Sequence, residues 1–125
     1  MKIIKLLPVL SLFITTTIGC EAQQKEGISV ISAEEAKTAM AAEGELVLVD
    51  VRTPEEFAEG YIEGAKNINF HDADFEAQML QFDKEKPLYI YCRSGARSSK
   101  AAEQLQGMGF KEIYDIDGGI LNWED

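Results

Sequence analysis

One stretch of this chain constrains its fold more than any other. Leu88-Tyr89-Ile90-Tyr91 runs without interruption into Cys92-Arg93-Ser94-Gly95-Ala96-Arg97-Ser98-Ser99 and then into an amphipathic helical pattern. An unbroken apolar run of this kind suits a strand covered on both faces, as in a parallel sheet. The helix that follows must therefore start at the carboxyl end of that strand. Leu46-Val51 (LVLVDV) has the same nearly continuous apolar character, and Ile28-Ile31, Lys66-Phe70 and Glu112-Ile116 are further strand candidates, each bounded by Gly, Pro or charged residues.

Helix signals occupy the intervals. Ser32 with Glu35 three residues on makes a capping box ahead of Ala33-Ala42. Thr53-Pro54-Glu55-Glu56 offers an N-cap, a proline at the first helical position and early carboxylates, which predicts a short helix to about Glu59. Asp74-Gln81 and Ala96-Met108 follow, the second with Ala101, Ala102, Leu105 and Met108 on one side. Alternating strands and helices imply an α/β domain over residues 28–125, with about five strands, mainly parallel, and helices on both faces.

Composition narrows the function classes. In 125 residues there are 22 acidic and 12 basic side chains, a net charge of -10. A duplex-binding surface needs clustered cations, so no nucleic-acid partner is expected. Two cysteines, Cys20 and Cys92, cannot build a disulfide framework, and with His71 as the single histidine there is no cluster for a structural zinc. No metal and no bound cofactor are expected, and the chemistry must lie in single residues.

The first nineteen residues stand apart from the fold. Lys2 and Lys5 precede an uncharged stretch from Leu6 to Gly19, and a small residue sits immediately before Cys20. This is the layout of a secretory signal. At about 1.5 Å per residue the stretch reaches about 21 Å, short of the roughly 30 Å of a bilayer core. Thr17-Ile18-Gly19-Cys20 resembles the bacterial lipoprotein box, with Thr17 where leucine is usual. The resemblance implies cleavage before Cys20 and lipidation of that residue, with multiple acyl chains giving stable membrane attachment. Residues 20–27, largely the polar EAQQKEG, then read as a tether, and the protein is expected to be exported to the bacterial cell envelope, facing the periplasm or the exterior.

Cys92 is the candidate nucleophile. An unperturbed thiol has a pKa near 8.5 and is only a few per cent ionised at pH 7. Lowering it by about two units requires roughly 2.7 kcal/mol at about 1.36 kcal/mol per unit. The amino end of the helix after Cys92 supplies up to about 2 kcal/mol, and Arg93 or Arg97 can supply the remainder. No histidine base is required, and nothing places His71 near Cys92. Other readings are a buried structural thiol, disfavoured by the Arg-Ser-Gly-Ala-Arg that follows, and a persulfide-binding or protein-interaction module with little turnover.

Four motifs together carry a family resemblance: Val49-Asp50-Val51-Arg52 with Glu55-Glu56-Phe57, Gly60-Tyr61-Ile62 with Gly64-Ala65-Lys66-Asn67-Ile68, Tyr91-Cys92 through Ser98, and Gly118-Gly119 with Trp123. From about Val30 to Trp123 the chain resembles a single-domain rhodanese. The resemblance implies sulfurtransferase activity: Cys92 would take a sulfane sulfur from a donor such as thiosulfate, hold it as a persulfide, and pass it to a thiophilic acceptor such as cyanide, a thiol or a partner protein. Cys92 and Arg97 have four residues between them, one fewer than in phosphatases and arsenate reductases of the same architecture, which favours sulfur over a tetrahedral oxyanion. The resemblance assigns persulfide stabilisation to the backbone amides from Arg93 through Ser94, Gly95 and Ala96 to Arg97, attraction of an anionic donor to Arg93, and structural support to Asp50 and Arg52. Gly118 and Gly119 would let a loop pass close to the active edge, and Trp123 would cap the core. Tyr61 stands where the family often has histidine and Glu63 where it often has proline, changes expected to affect local packing.

Overall fold

The computed structural model describes residues 25–44 and 46–124. The segment 1–19 expected to be a signal, Cys20 and the expected tether up to residue 24 lie outside the described residues. Five strands form one sheet: β1 (Ile28–Ile31), β2 (Val47–Asp50), β3 (Lys66–Asn67), β4 (Leu88–Tyr91) and β5 (Ile113–Ile116). Their spatial order is β1-β5-β4-β2-β3 and every pairing is parallel. All four residues of the central β4 are buried, which accounts for its unbroken apolar sequence.

Strand alternation divides the interior in two. Val49, Leu88, Ile90 and Ile113 point to the face covered by α3 (Phe75–Met79) and α4 (Ala96–Gly107), where they meet Phe75, Met79, Ala101, Ala102 and Leu105. Leu48, Tyr89, Tyr91 and Ile116 point to the other face, beneath Ala36 of α1 (Ala33–Glu43), Ile62 and the partly buried Trp123. Trp123 also lies under the Lys37 ammonium, 5.0 Å from the ring centroid.

The helix starts differ in how fully they are capped. Ser32 Oγ accepts the Glu35 N–H at 3.1 Å, without the reciprocal bond that the sequence suggests. At α2 (Pro54–Glu59) both halves of a capping box form: Thr53 Oγ1 accepts the Glu56 N–H and Glu56 Oε1 accepts the Thr53 N–H. Tyr61, expected only to alter packing, stacks on Phe57 with ring centroids 4.1 Å apart.

Two elements end two or more residues before the sequence suggests. β3 ends at Asn67 rather than Phe70, because the Asn67 side-chain amide donates to both Asp50 O and Arg52 O and carries the chain off the ladder. Ile68 and Phe70 still donate to Asp50 O and Val51 O, at 2.9 and 3.0 Å. α3 spans Phe75–Met79 instead of reaching Gln81, and the Asp74 carboxylate accepts the Gln78 side chain rather than capping a backbone N–H.

The carboxyl end of β2 is held by a buried ion pair. Asp50 is fully buried and Arg52 is 5% exposed. The Arg52 guanidinium reaches both Asp50 oxygens, the shortest contact being 2.7 Å, and its Nη2 also donates to Gly60 O at 2.7 Å. The Asp50 carboxylate accepts the Arg52 backbone N–H as well. Burial works against the Arg52 charge, yet Asp50 outweighs it and the guanidinium is held above its ordinary pKa. Removing one partner of such a pair strands the other in low dielectric, a loss of about 3–5 kcal/mol. Asp50→Ala should therefore destabilise the domain by about that amount, read as a lower urea midpoint; an unchanged midpoint would show that the pair does not anchor β2.

Candidate active site at Cys92

Cys92 follows β4 directly and is 1% exposed. Gly95 takes a left-handed conformation, φ +113°, that bends the chain back and caps α4. The bend brings the Gly95 N–H to 3.0 Å from Cys92 Sγ. The Cys92 thiol also donates to Ser98 Oγ at 3.4 Å, and the Ser98 hydroxyl in turn donates to Gly95 O at 3.2 Å. Arg93, Ser94 and Ala96 are exposed around the loop, and Arg97 is half-buried.

The electrostatic result is a thiol held below its ordinary pKa. Burial alone would raise it. The Ser98 hydroxyl and the backbone N–H groups of Ser98, Gly95 and Ser94 outweigh burial and favour the thiolate. The contribution expected of the arginines ranks behind these hydrogen bonds. Arg97 points into a two-pronged bond with Glu56, Nη1 to Oε1 at 2.6 Å and Nη2 to Oε2 at 2.9 Å. The Cys92 thiolate helps hold the Arg97 pKa up, behind Glu56, so Arg97 and the thiolate favour each other's charged forms, with the loop hydrogen bonds the larger influence on the thiol. Backbone N–H groups and a hydroxyl lead in lowering the thiol.

A second backbone segment shapes the loop from outside. The 3-10 turn Gly119–Asn122 places the Ile120 N–H on Cys92 O at 3.0 Å and the Leu121 N–H on Arg93 O at 3.2 Å. A Cβ on Gly119 would lie 2.3 Å from Cys92 O, so only glycine fits there. The close passage expected of Gly118 and Gly119 is thus located at Gly119.

This strand, loop and helix arrangement has relatives. The model of the Rhodanese-like domain matches residues 32–125. The chain belongs to the rhodanese-like family. It is 42% identical to the thiosulfate sulfurtransferase GlpE of Pseudomonas entomophila, over 74% of this chain and 82% of that protein. It is 40% identical to the uncharacterised Bacillus subtilis protein YqhL over 61% of this chain, a match spanning 59% of that protein. Among solved structures, a rhodanese-like domain protein from Staphylococcus aureus superposes with a TM-score of 0.70 at 34% identity, covering 78% of this chain and 92% of that one.

Within this rhodanese-like domain the predicted residues separate into three places. Cys92 and the Arg93–Arg97 loop form the site, whereas the Asp50–Arg52 pair closes the neighbouring end of β2. His71 is exposed on another connection, with its ring 5.7 Å from Phe70. Cys20 lies outside the described residues. Among the described residues no group of three or more potential metal ligands comes together, and no helix is long and apolar enough to cross a membrane.

Three residues of the site carried no role in the sequence reading. Ser98 shares the stripe of Ala101, Ala102 and Leu105, and a hydroxyl in that stripe was the available signal. Glu56 could be read as a helix-start carboxylate but not as the partner of a residue 41 positions away. Asp115 interrupts the apolar β5, where burial lifts its carboxyl, Ser98 lowers it and Asp117 raises it, leaving it at about 6.

Arg97 holds the Glu56 carboxyl down at about 2 against burial, helped by Thr53. Because this is below the ordinary value of 4.5, the pair's stabilisation is complete above pH 4.5 and is lost as pH falls toward 2. With solvent screening the contribution is about 1 kcal/mol. Glu56→Gln should remove that acid-side component from a pH series of denaturation midpoints; a wild-type slope between pH 4.5 and about 2 in the variant would assign it elsewhere.

Proposed function

We propose that this domain is a thiosulfate-type sulfurtransferase that carries a sulfane sulfur on Cys92. The observation that carries the reading is the buried Cys92 thiol with the Gly95 N–H 3.0 Å from its sulfur and Ser98 on its other side. Such a cradle stabilises one anionic sulfur without a neighbouring base. The four-residue span from Cys92 to Arg97 and the likeness to GlpE support thiosulfate as the donor class.

In the first half-reaction the Cys92 thiolate attacks the outer sulfur of thiosulfate. The S–S bond of the donor breaks, sulfite leaves with the electron pair, and Cys92 retains one sulfur as a persulfide anion. In the second, cyanide or a thiolate attacks that terminal sulfur and the new S–S bond breaks, returning the Cys92 thiolate. Thiocyanate or a new persulfide departs. The chain is strongly acidic, with a net charge of -10, so its field opposes a dianion. Arg93, exposed on the loop, offers the local attraction, while Arg97 is neutralised by Glu56. Asp50 and Arg52 support the site by fixing the end of β2.

For the segment outside the described residues, we propose export and lipidation at Cys20, giving a protein anchored at the membrane of the bacterial envelope. Metabolic labelling with a fatty acid should mark the wild type and not Cys20→Ser; an unlabelled wild type would reject the anchor.

The decisive experiment for the activity is intact mass after thiosulfate treatment, paired with thiocyanate production. Wild type should gain one sulfur and turn over, and Cys92→Ala should do neither. Full turnover by the Ala variant would show that Cys92 is not the carrier. A mass gain without thiocyanate release would make the domain a sulfur-holding module instead of an enzyme.

A further inference from the structure

Arg97 and Glu56 join two connections that leave the sheet side by side. β2 and β4 are parallel neighbours with Asp50 opposite Tyr91, so the segment leading to Glu56 and the segment holding Cys92 emerge from the same rim. Arg97 stands in the first turn of α4, two residues after the Gly95 whose N–H lies on the Cys92 sulfur. Its guanidinium nevertheless turns to α2, where Nη1 and Nη2 each donate to one Glu56 oxygen, at 2.6 and 2.9 Å. This is the planar two-pronged geometry in which a guanidinium and a carboxylate match best. The carboxylate is itself fixed, because Oε1 also accepts the Thr53 hydroxyl at 3.2 Å and the Thr53 N–H at 3.4 Å. The two side chains are only 24% and 26% exposed, which limits screening of the pair by salt.

The consequence is a charge balance at the mouth of the loop. Two arginines belong to that loop, and the Glu56 carboxylate cancels one of them. Of the three arginines in the chain, Arg93 alone is without an ion pair among the described residues. One net positive charge is therefore left at the loop for a donor that must also meet the Cys92 thiolate. A singly charged donor is matched by it, whereas thiosulfate brings a second negative charge that nothing at the loop offsets. The chain as a whole, at a net charge of -10, adds to the repulsion. Arg97 is close enough for its charge and that of Cys92 to act on each other, so the cation that would offset the second charge is present but withheld.

Resting on the reading of Cys92 as sulfur carrier, we propose that Glu56 is a positioning residue that, by holding Arg97, favours singly charged sulfur donors such as organic thiosulfonates and persulfides over thiosulfate. The transfer itself is the same for each donor. The Cys92 thiolate attacks the sulfane sulfur and the donor S–S bond breaks. The leaving sulfite, sulfinate or thiolate takes the electron pair, while Cys92 keeps one sulfur as a persulfide anion. Only the charge carried to the loop differs.

Thiosulfate and methanethiosulfonate test this, because replacing one thiosulfate oxygen by a methyl group removes one charge and leaves the sulfane sulfur in place. Both load the same Cys92 persulfide, so the ratio of their kcat/KM values for thiocyanate formation by the purified full chain isolates the loading step. Glu56→Gln should raise the thiosulfate to methanethiosulfonate ratio about three- to tenfold, the range for one charge acting between an aqueous and a protein-surface dielectric. That gain should fade in about 1 M salt. Arg97→Gln, which leaves the Glu56 charge unmatched, should lower the ratio, and it serves if Glu56→Gln fails to fold. A pair that only braces the loop would change both donors by the same factor, so an unchanged ratio in the folded variants would overturn the proposal. Alkylation of Cys92 by iodoacetate relative to iodoacetamide compares the same charge difference without sulfur transfer, and this ratio should also rise in Glu56→Gln. If neither donor adds sulfur to Cys92 while the alkylation ratio rises, the sulfurtransferase reading falls and the donor preference with it, whereas charge control of the thiol by Glu56 stands. Sulfur loading with both ratios at their wild-type values would instead reject the role of Glu56 alone.

Discussion

A backbone amide has two ends, and the site at Cys92 works because only one of them is turned toward the sulfur. The Cys92 and Arg93 carbonyls are occupied by the Ile120 and Leu121 N–H groups, so the loop can aim N–H donors inward without leaving buried acceptors unmatched. The clasp requires the Gly119 backbone to approach to a distance at which any Cβ would collide with Cys92 O. A turn more than twenty residues downstream thereby decides the polarity of the environment around the thiol.

The same economy governs the side-chain charges. Two arginines near the site are already matched, Arg52 by buried Asp50 and Arg97 by Glu56. Anion stabilisation at the sulfur then falls mainly to fixed dipoles and one hydroxyl, which need no reorganisation when charge arrives. Burial resists ionisation of Cys92, but these donors prevail. At Asp115, where no comparable donors converge, burial prevails instead and the carboxyl is raised. The contrast between two buried acids on one side of the same sheet follows from the number of N–H and O–H groups each can reach.

Much of this was legible in the sequence. The unbroken apolar runs around Val49 and Ile90 marked the central parallel strands, and the passage from Tyr91 through Cys92 to Ala96 located the thiol at a helix start. Those signals are local, set by strand alternation, caps and glycine. What escaped notice was long-range. Glu56 looked like a simple cap residue, and its second bond to Arg97 depends on how α2 packs against the loop. Arg97 therefore looked available to a substrate or a thiolate when it is already paired. Lys66-Phe70 looked like a full strand, yet the Asn67 amide diverts it after two residues. Each miss concerns a side chain whose partner is set by tertiary packing.

The uniform direction of the five strands has an architectural outcome. Cys92 emerges at the carboxyl end of β4, whereas the described chain enters at the amino end of β1, on the opposite rim of the sheet. Strands of four residues at about 3.3 Å each set these rims roughly 13 Å apart. The rim that carries Cys92 thus faces away from the rim at which the described chain begins, with the thiol itself buried just inside it.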